Sequence, residues 1–244
     1  MHTLPITTIQ FPDTHLSTRD GHKLRGYFGN VFRQHSTLLH NHFEDGTLRH
    51  EYPLVQYKVV QNCGTLIGLG EGAELLRDLF LDINEINIEG LLMEVNSKNI
   101  HYRDVSVGPC DGLRSYSFNT LWMALNQQNY REYLGMSAAE RQEKLTRILV
   151  GNILVFFRRF GLEVQERILL RPEVTERSTM FKDQKMLAFQ GGFIANVQLP
   201  DLIGLGKSVS RGFGCIAGAR AIETPETISV QRPLYRRALQ DGEH

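Results

Sequence analysis

From Leu199 to Gly214 the chain reads Leu-Pro-Asp-Leu-Ile-Gly-Leu-Gly-Lys-Ser-Val-Ser-Arg-Gly-Phe-Gly, and no other stretch constrains the fold as much. Four glycines, Gly204, Gly206, Gly212 and Gly214, surround Lys207, Ser208, Ser210 and Arg211. Glycine lets a backbone take positive φ and approach a ligand closely. Successive main-chain N–H groups in such a loop form a concave nest for an anion. The two cations and two hydroxyls make the composition one that suits phosphate. The Gly-Lys-Ser at 206–208 is not a P-loop, because that motif needs a glycine five residues before Gly206 and Asp201 stands there. A sugar-phosphate backbone is the better ligand. The competing reading is a tight glycine turn between two strands, with its charges in solvent.

The chain before this stretch is strongly periodic. Residues 3–11 read as a strand, and Ser17 or Thr18 caps a helix. Leu24, Tyr27, Phe28, Val31 and Phe32 fall on one buried helical face. Strands follow at 51–61 and 65–69, joined by a turn at Asn62-Cys-Gly64. A second helix starts near Glu71, and 84–107 forms a long strand or hairpin. The order β-α-β-β-α-β is the ferredoxin-like pattern. Gly108-Pro-Cys-Asp-Gly112 reads as a linker. Beyond it, Trp122 is core, and Ser137 with Glu140 forms a capping box that opens a long helix. Strands are expected at 164–174, 186–189, 193–199 and 213–222, with Gln190-Gly191-Gly192 as a hairpin turn.

The chemistry of the first half lies in the loop after the first helix. His40 and His42 flank Asn41, with His35, His50, Tyr52 and Lys58 nearby. Imidazole titrates near neutral pH, so one histidine can take a proton while another donates one. A His-x-His metal site and plain surface histidines are the alternatives for this loop. The three cysteines, Cys63, Cys110 and Cys215, are too few and scattered for a disulfide framework or a zinc site. No signal peptide or membrane span is evident, so the expected location is the cytoplasm and no membrane partner is expected. Lys plus Arg and Asp plus Glu number 27 each, so the net charge is zero. A general nucleic-acid binder is basic overall, so any RNA surface here is a local patch.

Gly204-Leu-Gly-Lys-Ser-Val-Ser-Arg-Gly-Phe-Gly214 resembles the C-terminal glycine-rich signature of the RAMP superfamily of CRISPR-associated proteins. Within it the chain is similar to the Cas-six family of precursor-CRISPR-RNA endoribonucleases. His40-Asn-His42, Tyr52-Pro-Leu-Val-Gln-Tyr-Lys58 and Ile67-Gly-Leu-Gly-Glu-Gly-Ala-Glu74 resemble the N-terminal domain of its I-B-type members. Trp122-Met-Ala-Leu-Asn-Gln-Gln-Asn-Tyr130 resembles the start of their C-terminal domain.

The fold class expected from pattern and resemblance together is α+β, with tandem ferredoxin-like (RRM-like) domains. In the second domain the glycine loop stands in place of the second helix. The domains would span 1–110, carrying the histidine loop, and 111–222, carrying the glycine-rich loop, with a tail at 223–244. The resemblance implies a metal-independent endoribonuclease that cuts CRISPR repeat RNA and needs no cofactor. It also implies catalytic roles for His40 and His42, with Tyr52 in support. Lys58, Gly204, Gly206, Lys207, Ser208, Ser210, Arg211, Gly212 and Gly214 would bind RNA or its phosphates. The alternative is a non-catalytic RAMP subunit that holds repeat RNA in a surveillance complex. Other CRISPR-associated proteins, or a second copy of the chain, are the further partners such proteins would take.

Overall fold

The computed structural model describes residues 2–32, 51–181 and 184–218. His40, His42 and the expected tail at 223–244 lie outside the described residues. The first half begins with β1 (His2–Phe11), α1 (Gly21–Val31), β2 (Val55–Val60), β3 (Cys63–Leu69) and α2 (Glu71–Leu79). A small hairpin, β4 (Glu85–Ile88) and β5 (Leu91–Glu94), separates these from the long β6 (Asn99–Phe118). Strands β2, β3, β1 and β6 lie side by side in that order, all antiparallel. That is the expected ferredoxin-like half, with the β4–β5 hairpin standing as a separate two-stranded sheet.

The second half reuses β6. After it come α3 (Gln127–Leu134), α4 (Ala138–Arg159), β7 (Leu170–Phe181), β8 (Gln184–Gln198) and β9 (Ile216–Ala217). The order β7-β8-β6-β9 repeats the ferredoxin arrangement, with the glycine loop between β8 and β9 where a second helix would be. One seven-stranded sheet therefore runs through both halves. Residues 99–107 of β6 pair with β1, and 108–117 pair with β8.

Some sequence expectations need correction. Gly108-Pro-Cys-Asp-Gly112 is not a linker but part of β6, where the register against β8 shifts between Pro109 and Arg114. A bulge tolerates turn-type residues inside a strand, including a proline that cannot complete the ladder. Gln190-Gly191-Gly192 is not a turn either, because β8 runs straight through it. A Cβ on Gly191 would lie 2.2 Å from the carbonyl oxygen of Glu173, and one on Gly192 would lie 2.1 Å from that of Tyr116. These glycines permit close strand approach rather than chain reversal.

Two cores follow from the alternation in β1. Ile9 and Phe11 join Leu24, Phe28 and Phe32 of the α1 region, where Phe28 stacks between Phe11 and Tyr57. Val31, expected on that face, is exposed instead. Leu4 and Ile6 point to the opposite face and meet Phe156, Phe157, Phe189 and Trp122 of the second half. The capping box of α4 is present, with Ser137 accepting from the Glu140 amide. Asn126 caps α3, accepting from the Asn129 amide at 2.7 Å.

Candidate functional site

The glycine loop is held from both halves of the molecule. From the second half, the Lys207 and Gly214 amides donate to Met123 O and Leu121 O at 3.0 and 2.9 Å. The Thr120 hydroxyl donates to Gly212 O at 2.6 Å and accepts from the Cys215 amide at 2.9 Å. Gly206 has φ +93, and a Cβ there would meet Trp122 Nε1 at 2.7 Å. Gly214 has φ +64, and its Cβ would fall 1.9 Å from Leu205 O. Ser208 adopts the left-handed conformation that starts a short 3-10 turn, Val209–Arg211.

From the first half, β2 turns one face to the loop. Tyr52 donates its hydroxyl to Gly204 O at 2.7 Å, and Gln56 Oε1 accepts from the Gly204 amide at 2.9 Å. Gln56 Nε2 donates back to the Tyr52 hydroxyl at 3.0 Å. Both backbone hydrogen-bonding groups of Gly204 are thus clasped by side chains from the other half. Tyr52→Phe leaves Gly204 O buried without its donor and is expected to cost about 1–3 kcal/mol of stability. Chemical denaturation of the variant checks this.

Several predicted site residues sit where the chemistry differs from expectation. Tyr52 is buried, and burial pushes its hydroxyl well above the usual tyrosine range. It braces the loop and has no exposed group to offer a substrate. Lys58 was expected at an RNA surface, yet its relative exposure is 0 %. It lies inward because it shares a β2 face with Gln56 beneath the loop, and burial pushes its amine below the usual lysine range. Gly204, Gly212 and Gly214 are buried scaffold, whereas Lys207 is exposed and Ser208, Ser210 and Arg211 are half-buried.

The loop's two cations face different hollows. Lys207 and Ser208 line a shallow one with Met123, Asn126, Gln127 and Met186. Arg211 lines a cleft of about 780 Å³ with Arg19, His22, Thr120, Lys185 and Phe213. Among the described residues no carboxylate lines that cleft. Arg19, His22 and Lys185 were not anticipated from the sequence. A signal existed, since Arg19 puts positive charge just before a helix start, where the macrodipole disfavours it.

The histidine segment enters the described structure at Glu51. That carboxylate lies 3.5 Å from Arg159, and the next residue is Tyr52 on Gly204. Among the described residues no group of three or more His, Cys, Asp and Glu side chains could hold a metal ion. No described helix is long and apolar enough to cross a membrane.

Family models for the Cas6b N-terminal and Cas6b C-terminal domains match residues 2–106 and 109–219. The chain belongs to the Cas6b family. A Cas6b crystal structure is 32% identical, with a TM-score of 0.85, and covers 89% of this chain and 100% of its own. The structure of a CRISPR RNA processing endoribonuclease Cas6b is 30% identical over the same shares, with a TM-score of 0.73. An uncharacterized Methanocaldococcus jannaschii protein is 32% identical over 142 residues, 57% of this chain and 95% of that one. Similarity to a type IV Cas6 crRNA endonuclease, at 12% identity and a TM-score of 0.51, reflects the fold alone. The tandem ferredoxin-like architecture of Cas6b and RAMP proteins is thus the architecture found here.

Proposed function

We propose that this chain is an endoribonuclease that cuts CRISPR repeat RNA to make guide RNAs, without a metal ion. Cas6b membership across both halves carries the reading, since one of the similar structures is that of a CRISPR RNA processing endoribonuclease. The RNA supplies its own nucleophile. Its 2′-oxygen attacks the adjacent phosphorus, the P–O5′ bond breaks, and the products carry a 2′,3′-cyclic phosphate and a 5′-hydroxyl. His40 and His42 take the proton from the 2′-hydroxyl and give one to the leaving 5′-oxygen. Lys207, Ser208, Ser210 and Arg211 hold phosphates and oppose the charge that develops on the reacting one.

The clasp on Gly204 supports this division of labour. Tyr52 follows the histidine segment closely in sequence and is bonded to the loop that carries the phosphate ligands. Such an anchor restrains the two halves of a catalytic site relative to each other. Repeat RNA and an all-deoxy strand of the same sequence, each incubated in excess EDTA, test the proposal. One discrete cut in the RNA and none in the DNA is the expected result. Intact RNA in EDTA with restored cutting on adding magnesium would contradict it.

A further inference from the structure

Lys58 is a buried cationic side chain that the mechanism above does not use. Its backbone lies under Gly212, whose added Cβ would be 3.8 Å from Lys58 Cα. Its side chain reaches to Gly204, where an added Cβ would be 3.1 Å from Nζ. The amine therefore spans the underside of the glycine loop. Nζ is buried, with no hydrogen-bond partner among the described residues.

A buried, unpaired amine is costly, and proteins normally pair it or replace it by an apolar side chain. The groups around it do not balance a positive charge. Its ionisable neighbour is Cys215, and burial pushes that thiol up, toward its neutral form. Tyr52 and Asp201 lie near Cys215, and the Tyr52 hydroxyl donates to Gly204 O. Arg25 and Arg211 are cations and lie toward Tyr57, on the other face of β2. What is missing is an anion, and the loop above carries Lys207, Ser208 and Ser210 within reach of solvent.

We propose that the glycine loop and Lys58 beneath it form one phosphate site, in which an RNA phosphodiester on the outer face of the loop is balanced by a proton taken up on Nζ. This rests on the RNA-binding reading above and adds its electrostatic basis. Burial disfavours the ammonium form in the free protein, and a bound phosphate favours it. The proton comes from solvent, so RNA affinity and proton uptake are linked. Affinity falls as pH rises between the free and bound titration points, by up to about tenfold per pH unit. Lys58 acts through the loop and is a positioning residue.

The test uses the full-length chain carrying His40→Ala and His42→Ala, so that RNA stays intact, with repeat RNA as the probe. Titration calorimetry in buffers of different ionisation enthalpy, from about pH 7.5 to 9.5 and above the histidine range, counts the protons taken up. The expected result is net uptake that persists in Cys215→Ala and disappears in Lys58→Met. Lys58→Met should bind about ten- to a hundredfold more weakly at the lower pH and converge with its parent at the upper. It should also unfold at no lower temperature than its parent, since a buried unpaired amine has been replaced by an apolar isostere. A purely structural lysine would instead lose stability and keep a flat affinity profile.

Binding without proton uptake, or unchanged affinity in Lys58→Met, overturns the Lys58 proposal and leaves the nuclease reading intact. Absence of RNA binding by the parent overturns both. Should Lys58→Met fail to fold, the proton count in the parent and in Cys215→Ala still decides.

Discussion

Replacing His40 and His42 together by alanine is expected to slow single-turnover cleavage of repeat RNA by about 10³-fold or more, while the Kd for the RNA changes by less than about threefold. General acid–base groups each contribute about 10²–10⁴-fold. Groups that act as a unit are not additive, so the double variant should be only modestly slower than the worse single one. The retained affinity follows from the proposed separation of roles, which assigns the phosphate contacts to Lys207, Ser208, Ser210 and Arg211. The pH profile adds a second readout. If one histidine acts as base and the other as acid, the wild-type rate is bell-shaped around neutral pH, and each single variant loses one limb. Rapid-quench cleavage beside a binding isotherm measures both quantities. Equal losses in rate and affinity would move the histidines from chemistry to RNA positioning.

Gly214→Ala is expected to disable the glycine loop outright. The new Cβ would fall 1.9 Å from Leu205 O at a backbone φ of +64. Leu205 cannot retreat without breaking the bond its amide donates to Gly214 O, and Gly214 is itself tied to Leu121 O. Steric overlap with backbone, left-handed strain and broken buried hydrogen bonds together predict a loss of about 3 kcal/mol or more. For a chain of this size that corresponds to a fall in Tm of roughly 6–12 °C. RNA affinity should drop with it, because Lys207 and Arg211 ride on the same loop. Gly112→Ala is the control, since a Cβ there meets nothing within 4 Å. It should leave Tm within about 2 °C of wild type. Thermal unfolding of the two variants checks the contrast.

Much of this architecture could be read from the chain because its periodicity is strong. The stripe of Leu24, Phe28 and Phe32, the capping box at Ser137 and the position of the glycine loop all report local physics. What failed to show was decided by contacts distant in sequence. Gly191 and Gly192 look like a turn because the same residue serves chain reversal and close strand approach. Only the carbonyls of Glu173 and Tyr116 tell the two apart. Gly108 and Pro109 look like a linker until β6 is seen to pair with β1 before them and with β8 from Gly108 onward.

The site was legible in the same uneven way. Lys207, Ser208, Ser210 and Arg211 were visible as a composition, but not that Lys207 and Arg211 open onto separate hollows. Lys58 was expected to contact RNA, since charged side chains usually face solvent, and Tyr52 was expected to support catalysis. Inward alternation along β2, from Tyr57 stacked in one core to Gln56 and Lys58 on the opposite face, was the signal to the contrary. The Arg19, His22 and Lys185 side of the cleft comes together only in three dimensions.

The central claim is that the RNA's own 2′-hydroxyl is the nucleophile and that this chain supplies only proton transfer and charge. The most direct test is repeat RNA carrying a single 2′-deoxy nucleotide immediately 5′ of the cut, compared with the all-ribo strand in excess EDTA. The deoxy strand is expected to bind normally and stay uncut, while the all-ribo strand yields a 2′,3′-cyclic phosphate and a 5′-hydroxyl. Cleavage of the deoxy strand at the same bond, or a 5′-phosphate on the product, would contradict it.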